Sequence, residues 1–301
     1  MAGAQRERLS DGRWHFQHGP IDIVIGAEGE ACAVQAAHEA AWWQFSTVLT
    51  GLMAELALLR RPVATAALVN PMQGDIARCM WAACAPLVVE ADGFITPMAA
   101  VAGAVAQTLV AAYQRPGIAR AWVNNGGDIA LHLAPGMSAR IGLFADLSRF
   151  DPAALARSPT GLLRTDAGFT VQADDPVRGV ATSGWRGRSL SRGIADSVTV
   201  LAATAAMADA AATVIANAVN VEDAAIARRP ACEMRDDSDL GEILVTVAVP
   251  PLAPVAVQQA LQRGVAVARH LQSQGRVHAV LLACQGSLAR LDALPALELV
   301  Q

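Results

Sequence analysis

The chain has 301 residues, 53% of them apolar and 17% charged, and a formal net charge of −4. That much apolar surface excludes an intrinsically disordered chain, and the negative balance argues against a dedicated nucleic-acid binder. All 23 basic residues are arginine, so chemistry that needs a lysine (a Schiff base, an anchored pyridoxal phosphate, a P-loop) is excluded as well.

Residues 1–20 read as a polar N-terminal arm carrying Arg6, Glu7, Arg8 and Asp11, and residues 21–301 as a single domain. No apolar run follows the arm, so the expectation is a cytoplasmic protein without a secretory signal. Ile21 to Ile25 reads as a strand that ends at Gly26. A long helix follows from Ala31 to Leu59, with Trp42, Phe45, Val48, Leu49, Leu52, Leu56 and Leu59 at helical spacing. Gln44 and Glu55 interrupt its apolar window, which favours a helix packed on a core over a membrane span. Its apolar surface is also where a homodimer would form. Pro71 to Asp75 reads as a turn leading into a helix from Ile76 to Ala85. Thr96-Pro97 opens another helix that runs through Ala99 to Tyr113, with proline in its first turn. Gly103 inside it costs about 1 kcal/mol relative to alanine, which points to close approach by another backbone or a ligand.

From there the period changes. Short strands are expected at 119–123, 129–133, 139–143, 162–164, 169–172 and 179–181, with a buried strand at 198–201. A small-residue helix from Ala205 to Val219 follows, then a polar loop from Arg228 to Asp239 and a strand from Ile243 to Val249. Pro250, Pro251 and Pro254 introduce a helix that ends near Gln274, and strands at 277–283 and 288–291 finish the chain. Helices cluster early and strands later, without regular βαβ alternation. That is the pattern of an α+β fold with a mixed or antiparallel sheet flanked by helices. The five cysteines are an odd number without a CxxC pair, and read as buried free thiols.

Three constellations carry chemistry. Asn124-Asn125-Gly126-Gly127-Asp128 lies between two expected strands. It reads either as a hairpin turn or as a bend whose bare backbone cradles a phosphate or lies against a planar ring. The stretch from Thr182, Ser183 and Gly184 through Arg186, Arg188, Ser189, Ser191 and Arg192 to Gly193 offers hydroxyls and three guanidinium groups. It reads either as a solvated loop or as an anion site. Asp209 and Thr213 are four apart on the small-residue helix, so their oxygens share a face suited to a hard cation such as Mg²⁺. A helix-end Asp and a packed Thr are the plainer alternative. The sequence contains neither a GxSxG nor an HExxH motif, so neither a hydrolase elbow nor a zinc protease is supported.

Taken in order, Pro97 to Ala104, Asn125 to Asp128, Thr182 to Gly184, Ser189 to Ser191, Ala195 to Val200 and Ala208 to Thr213 resemble the ApbE superfamily of FAD:protein FMN transferases. The resemblance is to its uncharacterised cytosolic branch, met in one-carbon-metabolising microbes. It implies an ApbE-like fold and a nucleotide-sized cleft that takes a small-molecule ligand, FAD or a related nucleotide or pterin, with Mg²⁺. On the residues of this chain it implies a metal site from Asp209, Thr213 and the Ala100 carbonyl. The ligand site it implies comprises Ala102, Gly103, Asn125, Gly126, Gly127, Asp128, Thr182, Ser183, Gly184, Arg188, Ser191 and Arg192. Two groups of the transferase pattern are missing. A lysine of the pattern is replaced here by Ala102 or Gly103, and its histidine loop shrinks to Ser191 to Asp196. Either a Mg²⁺-dependent enzyme on a phosphate-bearing ligand or a cofactor-binding protein that has lost transfer is consistent with that pattern.

Overall fold

The computed structural model describes residues 3–64, 69–143, 167–291 and 298–299. The strand expected at 162–164 lies outside them. One nine-stranded sheet organises the rest. Its strands in chain order are β1 (Gln5–Arg8), β2 (Trp14–His18), β3 (Ile21–Gly29), β4 (Ile118–Asn125), β5 (Asp128–Leu133), β8 (Gly179–Ser183), β9 (Ser197–Ala202), β12 (Ala279–Cys284) and β13 (Ser287–Leu291). They lie side by side in that same order. Every neighbouring pair is antiparallel. β6 (Ser138–Leu143), β7 (Ala167–Gln172) and β14 (Glu298–Leu299) form a three-stranded sheet, and β10 (Ala227–Pro230) and β11 (Leu244–Ala248) a two-stranded ribbon.

The helices are α1 (Ala31–Ala54), α2 (Leu56–Leu59), α3 (Asp75–Cys84), α4 (Val101–Val110), α5 (Ala205–Ala218), α6 (Ala231–Met234) and α7 (Pro254–Ser273). The large core lies between them and one face of the nine-stranded sheet. α1 buries Ala37, Ala41, Phe45, Val48 and Leu52, a three-and-four spacing that puts one stripe inward. Leu131, Leu133, Val180 and Leu201 leave the sheet on the other side and pack with Ile141, Phe169 and Val171 in a second, smaller cluster. β9 is buried along its whole length because both clusters cover it. The observed class is therefore α+β with an antiparallel sheet flanked by helices. No described helix is long and apolar enough to cross a membrane. All five cysteines are free, but only Cys84 and Cys284 are buried as expected; Cys32 is exposed and Cys79 and Cys232 are half-buried.

Two expectations need correcting. Residues 5–18 are not an arm: they form a hairpin that adds the first two strands to the sheet. The sequence hides this because β1 is exposed throughout and β2 has only five residues. What holds the hairpin is aromatic packing. Phe16 is fully buried, with its ring 5.3 Å from both Trp42 and Phe45 of α1. Arg6 lays its guanidinium 5.0 Å over the Trp42 ring and 5.2 Å over Trp14, and pairs with Glu39 at 2.9 Å. Likewise, the polar loop expected from Arg228 to Asp239 contains most of β10 and all of α6. Pairing with β11 overrides its low local propensity.

Phe16→Ala is expected to cost about 3–5 kcal/mol, the usual range for truncating a fully buried phenylalanine. Urea denaturation checks it. A loss below about 1 kcal/mol would return the hairpin to the status of an appendage.

Candidate functional site

The Asn124–Asp128 stretch is a two-residue hairpin between β4 and β5, with Asn125 directly opposite Asp128. Gly126 and Gly127 both have positive φ, 67° and 115°, which tight hairpin turns demand and side chains resist. Asn124 Oδ1 accepts the Gly127 N–H at 2.8 Å and fixes the bend. Two side chains then carry the turn into the helix layer. Asn125 Nδ2 donates to the Ala102 carbonyl at 3.1 Å. Asp128 Oδ1 accepts the Thr182 N–H at 3.2 Å, and the Thr182 hydroxyl meets that of Thr199 at 2.9 Å.

Ala102 and Gly103 open α4, whose first-turn N–H groups have no partner within the helix. The Ala100 side chain at its start cannot cap it. Asp209, from the second turn of α5, supplies the missing acceptor: its Oδ2 takes the Gly103 N–H at 2.9 Å. The positive end of the α4 dipole favours a carboxylate there. The contact depends on glycine, because a Cβ at Gly103 would stand 2.3 Å from the Ala205 carbonyl oxygen and 2.8 Å from Asp209 Cβ. α5 is itself capped by Thr204, whose Oγ1 accepts the Met207 N–H at 3.3 Å. Thr213 follows Asp209 by one turn, half-buried. Ala100 closes the tight turn Pro97–Ala100 and is fully buried.

Arg188 reaches over the glycine turn from the loop after β8. Its Nη1 lies 2.7 Å from where a Gly126 Cβ would be, and its Nη2 donates to the Pro20 carbonyl at 3.3 Å. Around the start of α4 the structure thus gathers Ala102, Gly103, Asn125, Gly126, Gly127, Asp128, Thr182, Arg188 and Asp209. Ser183 ends β8 and Gly184 follows it, where an added Cβ would stand 2.5 Å from the Asp196 carbonyl oxygen. Ser191 and Arg192 do not join this group. The Ser191 hydroxyl donates to Asn217 Oδ1 at 3.1 Å, and that same oxygen accepts the Arg192 N–H at 2.9 Å. Asn217 lies more than two turns beyond Asp209, roughly 12 Å along α5. The Arg192 guanidinium faces Asp92 at 3.6 Å. The loop, expected as one unit that is either solvated or an anion site, is divided: its second half staples the chain to the far end of α5.

Other residues had no signal in the sequence. The Thr96 hydroxyl bonds the Asp239 carboxylate and ties the segment after α6 to the Pro97 turn. Arg235 Nη2 donates to the Arg188 carbonyl at 2.6 Å. The Pro20 carbonyl comes from the turn between β2 and β3, at the end of the stretch expected as an arm. No local motif marks any of these, because each contact spans dozens of residues.

The electrostatics follow from crowding. Burial, and then the charge of Asp128, push the Asp209 carboxyl well above the usual carboxylate range, against the pull of the Gly103 and Ala102 N–H groups. Burial pushes Asp128 up to about 7, opposed by the Thr182 N–H and the Arg188 guanidinium. Cys84 lies close behind, its thiol bonded to the Pro97 carbonyl. Burial, then the charges of Asp209 and Asp239, push that thiol upward, so it stays protonated and serves as packing. Among the described residues no three His, Cys, Asp or Glu side chains converge on one point. The oxygens that Asp209, Thr213 and the Ala100 carbonyl would offer are a carboxylate, a hydroxyl and a carbonyl, a hard set that suits Mg²⁺ and not zinc.

Two outcomes are expected. Gly103→Ala should destabilise the protein by about 1–3 kcal/mol despite the better helix propensity of alanine, because the added methyl meets backbone. Chemical denaturation reads this, and a stabilised variant would contradict the close approach. Asp128 holds its proton more tightly folded than unfolded. Its contribution to stability is therefore full below about pH 4 and is lost as pH rises through about 7. The melting temperature without added metal should fall between about pH 5 and pH 8, and Asp128→Asn should flatten that fall. Identical slopes would contradict the crowding.

Comparison with known proteins bears on the whole arrangement. A family model described as "AbpE bacteria" matches residues 6–290. The UPF0280 protein of Methanothermobacter thermautotrophicus is 39% identical over 144 residues, 48% of this chain and 50% of that protein. The UPF0280 protein MK0206 of Methanopyrus kandleri is 36% identical over 184 residues, 60% of this chain and 65% of that one. The chain spans about half the length of the first of these relatives. The crystal structure of the ApbE protein of Thermotoga maritima shares the fold, with a TM-score of 0.50 and 13% identity over 95% of this chain and 96% of that one. The family match runs through the N-terminal hairpin, the glycine turn and the Asp209 helix alike, and the chain therefore belongs to the ApbE-type family described as "AbpE bacteria".

Proposed function

We propose that the protein is a Mg²⁺-dependent enzyme acting on a phosphate-bearing ligand related to flavins or pterins, at the start of α4. The observation that carries this reading is the Asp209 carboxylate held on the Gly103 N–H, one hydrogen bond and one side chain away from the double-glycine turn. A cation would be held by Asp209, by Thr213 one turn on, and by the Ala100 carbonyl. When bound, Mg²⁺ neutralises charge on phosphate oxygens during phosphoryl transfer. The chain's own residues do the rest. The Gly126-Gly127 backbone lets a planar ring or phosphate approach without side-chain obstruction. Arg188, anchored on Pro20, supplies a planar guanidinium for ligand anions. Arg186 stacks on Trp185 at 4.8 Å and extends the positive rim. The same reading places the activity in the cytoplasm. A homodimer is a separate proposal, with the outer face of α1, where Trp43 is 71% exposed, as its contact.

A second reading is favoured by one specific observation. The chain contains no lysine at all, and so lacks a group of the transferase pattern it otherwise resembles. On that reading the cleft binds the same class of ligand without turning it over.

Calorimetry with FAD and Mg²⁺ tests the site. Asp209→Ala is expected to weaken FAD binding in the presence of Mg²⁺ at least tenfold, about 1.4 kcal/mol. Unchanged affinity would overturn the site. Incubation with FAD, Mg²⁺ and an acceptor protein then separates the readings: covalent flavin on the acceptor supports the enzyme, and stoichiometric binding alone supports the binding protein.

A further inference from the structure

Asp128 belongs to the glycine turn in sequence, but in space it belongs with Asp209. Standing directly opposite Asn125 on the β4–β5 hairpin, it leaves the sheet on the same face, toward α4 and α5. Asn125 holds the Ala102 carbonyl, and the next N–H along the chain, that of Gly103, holds Asp209. Ala130, two residues along β5, packs in the helix-side core, so Asp128 faces the helix layer from the sheet while Asp209 reaches the start of α4 from α5. Each is half-buried, and each has one oxygen fixed by a backbone N–H, Asp128 by Thr182 and Asp209 by Gly103. Like charges held this way repel unless a cation offsets them. The cation set beside the turn is the Arg188 guanidinium, on an exposed side chain that reaches over Gly126.

We propose that Asp128 is a second carboxylate of the cation centre, and that Arg188 is its substitute counter-charge when no divalent ion is bound. The inference rests on the reading of Asp209 given under the proposed function. It adds a ligand to that centre and gives the arginine a defined electrostatic relation to it. A divalent ion and the guanidinium then compete for one carboxylate, so removing the arginine strengthens the ion's hold.

Mn²⁺ serves as the probe, titrated alone into the full chain and followed by electron paramagnetic resonance and by the rise in melting temperature it causes. Asp128→Asn keeps a side-chain oxygen for the Thr182 N–H and so keeps the local fold. It is expected to weaken Mn²⁺ at least tenfold, as Asp209→Asn does, and to abolish most of the thermal shift. Arg188→Gln is expected to strengthen Mn²⁺ several-fold. Because its side chain is exposed at the rim, this variant gives an answer even if the Asp128 variant folds poorly. If Asp128→Asn binds Mn²⁺ as the wild type does while Asp209→Asn does not, the role of Asp128 is overturned and the proposed function stands. If Asp209→Asn also binds normally, the cation centre itself is overturned. Weaker Mn²⁺ binding in Arg188→Gln would overturn the counter-charge relation.

Discussion

One hydrogen bond organises this protein: the Gly103 N–H donating to Asp209 across two helices. It satisfies a helix terminus that the local sequence leaves uncapped, since Ala100 has no side-chain acceptor. It also requires α4 and α5 to approach so closely that position 103 can carry no Cβ. The small-residue composition of both helices follows from this. Ala104, Ala106, Ala205, Ala208 and Ala212 are all buried, because bulkier side chains would hold the backbones apart. An alanine-rich segment that looks merely hydrophobic is therefore a device for bringing a carboxylate to a helix N-terminus.

The sheet delivers the other half of the site. The β4–β5 turn is an ordinary hairpin by geometry, and the plainer of its two readings is correct as far as it goes. It is also more than a hairpin, since Asn125 and Asp128 carry its ends into the helix layer. The loop after β8 and the turn between β2 and β3 close around it through Arg188 and Pro20. The N-terminal strands thus have a structural role, paired on β3 and clamped by Phe16 and Arg6 on α1, and a place beside the turn.

Two carboxylates in this position are costly to keep charged, and the fold answers with fixed dipoles: the Gly103, Ala102 and Thr182 N–H groups and a single guanidinium. The buried Cys84 behind Pro97 shows the same field from the protein side, as a thiol kept neutral by burial and by those charges.

The class of the fold, most of its elements and the three short motifs of the candidate site are legible along the chain. Helical and alternating periods are local, and so are the glycine turn, the Asp209–Thr213 spacing and the anomalous Gly103. How these motifs combine depends on the folded arrangement. It placed Asp128 with Asp209, divided the arginine loop between the turn and the far end of α5, and turned a polar start into two strands. It alone revealed Thr96, Asp239 and Arg235. Each of those decisions rests on contacts between residues far apart in the chain, whose energies come from packing, burial and charge in three dimensions and leave no period in the sequence.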